Sequence, residues 1–166
     1  PEQQPGNRVG LIGQNDAVEY GMIDPTTMQY WTPAGSINVN FGPTLEEWTH
    51  VAVIVNSEGM HVYSNGEQIG TAGGGGPVSS GDTFNMGGDG VYDATGNWFL
   101  GSIDDVAVWN VALSEDQIVA LANQQIFPLP RYNPLHEGLI AYWPFDGDLN
   151  DTIGDSPGTG MGSDDI

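Results

Sequence analysis

The sequence contains no cysteine and no lysine, and its only fixed positive charges are Arg8 and Arg131. Without cysteine there are no disulfides, thiolate metal sites or thiol nucleophiles. With two Arg against 22 Asp and Glu, the formal net charge is −20. A nucleic-acid binder needs clustered Lys and Arg to displace counterions from phosphates, so that class is excluded. Adhesion to anionic lipid lacks its polybasic patch as well. No apolar stretch reaches the ~18 residues of a transmembrane helix, so membrane insertion is not expected. The opening PEQQPGNRVG has neither the charged nor the apolar region of a secretory leader, and it reads as the interior of a longer precursor.

What is present suits a packed β domain. Of 166 residues 39% are hydrophobic and five are tryptophan, which is enough apolar content for a core. Glycine stands at 25 residues, about twice its usual ~7% share, and so favours turns and short strands. Val9 and Leu11, then Ala17 to Ile23, are set around a Gly-Gln-Asn-Asp turn at 13–16 and read as a hairpin. Thr26–Trp31 is a short strand, and Ser36–Phe41 alternates with Ile37, Val39 and Phe41 on one face. Trp48–Val55 is a strand expected at the centre of a sheet. Met60–Ser64 returns from it, and Asn65-Gly66 is a type I′ turn signal leading into a strand at 67–70. Gly73–Gly76 is expected to be a flexible loop unable to pack.

Further strands are expected at 83–87, at Trp98–Asn110 and at Gly138–Phe145. Ser114-Glu-Asp-Gln117 is a capping box opening one helix over 115–123, with Ile118 and Leu121 facing inward. Three prolines between 124 and 137 mark a linker, and order is not expected from Gly154 onward. The pattern predicts an all-β, two-sheet antiparallel jelly-roll β-sandwich with one short helix near 115–123.

Three segments in order resemble the laminin-G-like, concanavalin A-like jelly-roll domains of large bacterial surface proteins. Trp48-Thr-His-Val-Ala-Val with Val62-Tyr-Ser-Asn-Gly66 is similar to that family's central hairpin. Gly101-Ser-Ile-Asp-Asp-Val-Ala-Val-Trp109 is similar to its final strand, and Ala112-Leu-Ser114 with Gln117-Ile118 to its closing helix. Residues 138–158, GLIAYWPFDGDLNDTIGDSPG, resemble the same family's opening strand, yet they follow the closing helix. The expected organisation is therefore a body at 1–123 lacking its own opening strand, a Pro-rich linker at 124–137, an opening strand at 138–158 and an acidic Gly-rich tail at 159–166. That opening strand belongs to a next repeat, or is permuted in cis, or is donated in trans. An incomplete body would leave a pairing edge exposed. Leu139, Ala141, Tyr142, Trp143 and Phe145 are the residues expected to carry strand donation.

The resemblance implies Ca²⁺ at Asp104, the first acid of the final strand, with Asp151 and Asp155 from the opening motif as further ligands; calcium takes six to eight oxygens. Related glucanases carry Glu-x-Asp-x-x-Glu along one strand. That spacing is absent here, so no catalytic residues are assigned and an enzyme is not expected. His50 and His61 have no partner serine or ligand cluster and read as packing residues. The loop 88–97 is rich in oxygen donors but lacks EF-hand spacing, and reads as a polar turn.

Trp48, Trp109 and Trp143 are expected in the core. A glycan would need an exposed aromatic platform beside polar groups. Trp31, Tyr92 and Trp98, with Tyr30, could supply the platform, and the Gln14-Asn15-Asp16 turn the polar groups. The expected function is a noncatalytic, extracellular or cell-surface module for assembly or adhesion, partnered by its own kind or by neighbouring repeats. The alternative is a carbohydrate-binding module of a secreted glycan-degrading protein.

Overall fold

The computed structural model describes residues 8–41, 46–76, 80–88, 91–92, 98–123 and 134–160. The chain divides into two compact units, 1–101 and 102–166.

The first unit holds two antiparallel sheets. β1 (Val9–Gln14), β2 (Val18–Asp24), β3 (Thr27–Thr32) and β4 (Gly35–Asn40) form a meander, and β8 (Asn85–Met86) pairs on the far side of β1. The second sheet is β5 (Val51–Asn56), β6 (Gly59–Ser64) and β7 (Glu67–Ala72), in that order. β5, expected to be central, lies at an edge among the described strands, and β6 is the central one. The Asn65-Gly66 turn has both residues at positive φ, 49° and 83°, as a type I′ turn demands.

Cross-strand register sorts the meander's side chains into two faces. Ile12, Tyr20, Tyr30 and Ile37 form one row, and Val9, Met22, Met28 and Val39 another. Together with Phe41 they meet Met60 and Val62 of β6 in a single core. Tyr20 and Tyr30 stack edge to face at 6.3 Å. The sheets approach closely because β7 carries a glycine where β4 presses in. A Cβ at Gly70 would stand 2.3 Å from Val39 Cγ1. Gly75, in the run expected to be loose, is buried, and a Cβ there would overlap the Met60 thioether. Within the run Gly75 thus packs onto the core, while Gly73, Gly74 and Gly76 stay exposed. Trp48 is 69% exposed, against its expected place inside, because β5 starts only at Val51.

The second unit pairs β9 (Val106–Trp109) with β10 (Leu139–Trp143), antiparallel within one chain. The strand expected over Trp98–Asn110 is this short because Asp105 takes a left-handed φ of 51°, which breaks the alternation before Val106. α1 (Glu115–Ala122) begins with the complete capping box. Gln117 N–H donates to Ser114 Oγ, and Ser114 N–H to Gln117 Oε1. Ile118 is the helix's buried residue, while Leu121 is half-buried. A 3-10 turn over Pro134–His136 precedes β10, and Trp109 Nε1 donates to the Leu135 carbonyl at 2.8 Å. Leu139, Ala141, Tyr142 and Trp143 are all buried. Residues 154–158 are held more firmly than their composition suggests: Trp143 Nε1 donates to Ser156 O, and Gly158 N–H to Leu149 O. Most of the expected linker, 124–133, and the end of the tail, 161–166, lie outside the described residues.

Candidate functional site

The face of the meander turned away from the core is polar, because β2, β3 and β4 alternate. Its first row is Glu19, Trp31 and Ser36, and its second is Gly21, Gln29 and Asn38. Thr27 and Asn40 pair beyond them. Ser36, Asn38 and Asn40 are exposed, whereas Trp31, Gln29 and Thr27 are half-buried. Gln29 Nε2 donates to Asn38 Oδ1 at 2.8 Å, and Gln29 Oε1 is buried with no partner. Toward β1 the same face becomes covered. Glu19 is 5% exposed and accepts from the Asp16 backbone N–H at 3.2 Å. Gly10 pairs with Gly21, and a Cβ on Gly10 would stand 2.5 Å from Val91 Cβ, so glycine here admits Val91 against the sheet. The result is a half-buried indole at a step, with a buried carboxylate on one side and open amides and hydroxyls on the other.

Electrostatics near the step follow from burial. The Tyr92 phenol is pushed well up by burial and by the Glu19 charge, with Arg8 opposing. The Arg8 guanidinium lies 5.3 Å from the centre of the Tyr92 ring. Burial, then Tyr92, pushes the Tyr20 phenol up too. Tyr30 is pushed up to about 12 by burial.

The residues expected to form a sugar platform separate. Trp31 stands on this face. Tyr92 is 1% exposed and Tyr30 belongs to the core, so neither offers a ring to solvent. Trp98 is 43% exposed, and Phe99 beside it donates its N–H to Gly87 O. Gln14 is engaged with the 80–82 segment, donating to Asp82 O and accepting from Ser80 N–H. Asn15 Nδ2 reaches Asp16 Oδ2, while Asn15 Oδ1 is buried and unpartnered. Most of the loop 88–97 lies outside the described residues. Glu19, Thr27, Gln29, Ser36, Asn38 and Asn40 were missed, although the alternation that places Ile37, Val39 and Phe41 inward also places Ser36, Asn38 and Asn40 outward.

The acids expected to hold calcium also separate. Asp151 Oδ1 accepts the backbone N–H groups of Tyr142, Ile153 and Gly154 at 3.0, 3.0 and 2.9 Å. Burial pushes its carboxyl up, but those donors outweigh burial and hold it below the usual range. A Cβ on Gly154 would stand 2.5 Å from Asp151 Oδ2, which explains the Asp-x-x-Gly pattern. Asp155 is exposed. Asp104 is raised by burial and by Asp105, with Asp146 adding to it. Tyr142 Oη donates to Asp105 Oδ1 in the same cluster. Among the described residues no three His, Asp or Glu side chains converge as metal ligands. Asp104, Asp151 and Asp155 are thus not brought together as one three-carboxylate cluster.

A family model described as the concanavalin A-like lectin/glucanases superfamily matches residues 1–119. No curated protein matches. Among solved structures, a Bacteroides ovatus protein described provisionally as carbohydrate-binding superposes with a TM-score of 0.71 at 20% identity, over 92% of this chain and 47% of that one. An S-layer domain-containing protein from Clostridium thermocellum reaches a TM-score of 0.36 at 20% identity, over 71% of this chain and 64% of that one. This chain thus spans about half the length of the first and under two thirds of the second. The first likeness is one of fold.

Proposed function

This chain belongs to the concanavalin A-like lectin/glucanases superfamily, and from that membership we propose that it is a noncatalytic glycan-binding module of a secreted or surface protein. The observation that carries the reading is the outward face of β2–β4, which is open over β4. Trp31 stands between Glu19 and Ser36 there, next to the Gln29–Asn38 amide pair. A sugar presents an apolar C–H face and a rim of hydroxyls. An indole takes the first, and amides and hydroxyls take the second. The exposed Ser36 hydroxyl and the Asn38 and Asn40 amides are open to a ligand's hydroxyls.

The noncatalytic part has separate support. Glycoside hydrolysis by two carboxylates sets one as an acid with its pKa raised and the other across the scissile bond. The Glu-x-Asp-x-x-Glu spacing of the related glucanases, which would set two such carboxylates along one strand, is absent from this sequence. Location outside the cell is part of the proposal, and the strongly acidic, lysine-free composition suits a soluble module in salty surroundings.

Affinity electrophoresis through gels containing neutral polysaccharides tests the reading. At least one polymer is expected to retard the protein, and Trp31→Ala is expected to abolish the retardation without changing the melting temperature by more than a few degrees. Retardation unchanged in Trp31→Ala would remove this face from the account.

A second reading, assembly or adhesion through strand completion, is favoured by the β9–β10 pairing. Four buried side chains of the terminal segment sit on a strand that only β9 partners among the described residues. The same pairing between copies would link them. Size measurement by light scattering tests it: a monomer at high concentration leaves the pairing in cis alone.

A further inference from the structure

We infer that the β2–β4 face selects uncharged glycans and rejects acidic ones, an inference that rests on the sugar-binding reading above. The segment from Val18 to Asn40 that builds this face contains no Lys, Arg or His. Its outward polar groups include the neutral Thr27, Gln29, Ser36, Asn38 and Asn40, with Asp24 paired to Thr27 at one end of the face. The charge that does stand on the face is negative. Glu19 pairs with Trp31 across β2–β3, so a carboxylate shares the indole's row. Burial matters because a buried charge is screened far less than an exposed one. Beyond the face, the whole chain carries −20, which repels polyanions at long range in low salt.

A uronate, sulfate or sialate group would bring a negative charge to a place with no basic side chain among those outward residues, and with Glu19 beside it. Hydroxyls and acetamides, by contrast, match amides that can both donate and accept. The selectivity is therefore electrostatic, and shape plays no part in it.

Polymers that share a backbone and differ in the charge of their substituents separate this inference from the reading beneath it. Suitable pairs are hydroxyethyl cellulose against carboxymethyl cellulose, arabinoxylan against glucuronoxylan, and methyl-esterified against de-esterified pectin. Affinity electrophoresis of the intact chain at low ionic strength is expected to show the neutral partner of at least one pair binding about tenfold tighter or more, with the gap shrinking as salt is raised past the ~10 Å screening length of 0.1 M. Glu19→Gln is expected to narrow the gap by strengthening binding to the acidic partner. Equal or tighter binding of an acidic partner, in a protein whose retention still needs Trp31, overturns the selectivity and leaves the sugar-binding face standing. A gap that does not change with salt also overturns it. Retention by none of the polymers, neutral or charged, overturns both.

Discussion

Replacing Asp151 by alanine tests whether the terminal motif is held by a carboxylate or only by its apolar side chains. Three backbone N–H groups lose their acceptor in Asp151→Ala. A hydrogen bond to a charged acceptor is worth ~1.5–3 kcal/mol. The Ile153 N–H is exposed and can turn to water, whereas those of Tyr142 and Gly154 are part-buried. Counting the two part-buried bonds at the lower figure gives a cost of about 3 kcal/mol. In a chain of this size that corresponds to a melting-temperature drop of roughly 6–12 °C. Asp151→Asn keeps an oxygen acceptor and should lose about 1 kcal/mol.

The pH dependence has a definite sign. The folded pKa of Asp151 lies below the ordinary carboxylate value, so its contribution is full above about pH 4. It fades as pH falls through the lowered folded pKa. The difference between Asp151→Ala and the unaltered protein should therefore be constant from pH 5 to 8 and shrink below pH 4. Urea unfolding followed by far-UV circular dichroism and tryptophan fluorescence measures it, since Trp143 is anchored to Ser156 in the same loop. A loss under 1 kcal/mol, or a difference that grows on acidification, would refute the reasoning.

Three other outcomes are expected. Gly70→Ala drives a methyl into Val39 and should cost about 1–3 kcal/mol by overpacking, read as a lower urea midpoint with unchanged slope. Ser114→Ala removes one half of the capping box and should cost about 1 kcal/mol, detected as lost helical signal and a lower melting temperature. Asp104→Asn should raise the melting temperature at pH 7. The Asp104 carboxyl is held up by burial and by Asp105, so its charge costs stability above its folded pKa. The gain should vanish once the pH falls below the ordinary value near 4, and a gain that persists in acid would contradict it.

The sandwich was legible in the sequence because period-two alternation and turn chemistry are local. Ile37, Val39 and Phe41 point inward as their spacing demands, and Asn65-Gly66 makes the turn its residues require. The capping box at Ser114 is equally local. What was not legible depends on partners distant in the chain. Gly75 has no local reason to be buried; Met60 supplies it. Tyr92 looked like an available ring until Arg8 and the β1 strand met it and its neighbour. Asp151 carried a motif's signature, but the chemistry behind it is backbone capture at Tyr142, Ile153 and Gly154. The candidate binding face was half-legible. Its polar phase was written in the alternation of β4, but the pairing of Glu19 with Trp31 needed the register of β2 against β3.

The most direct test of the central claim is a backbone-amide NMR titration with an oligosaccharide cut from whichever neutral polymer retains the protein. Shift changes are expected to concentrate between Thr27 and Asn40, with the Trp31 indole N–H among the largest and β5 to β7 unchanged. Shifts centred on Trp98 or on the Gln14-Asn15-Asp16 turn, with Trp31 silent, would contradict it.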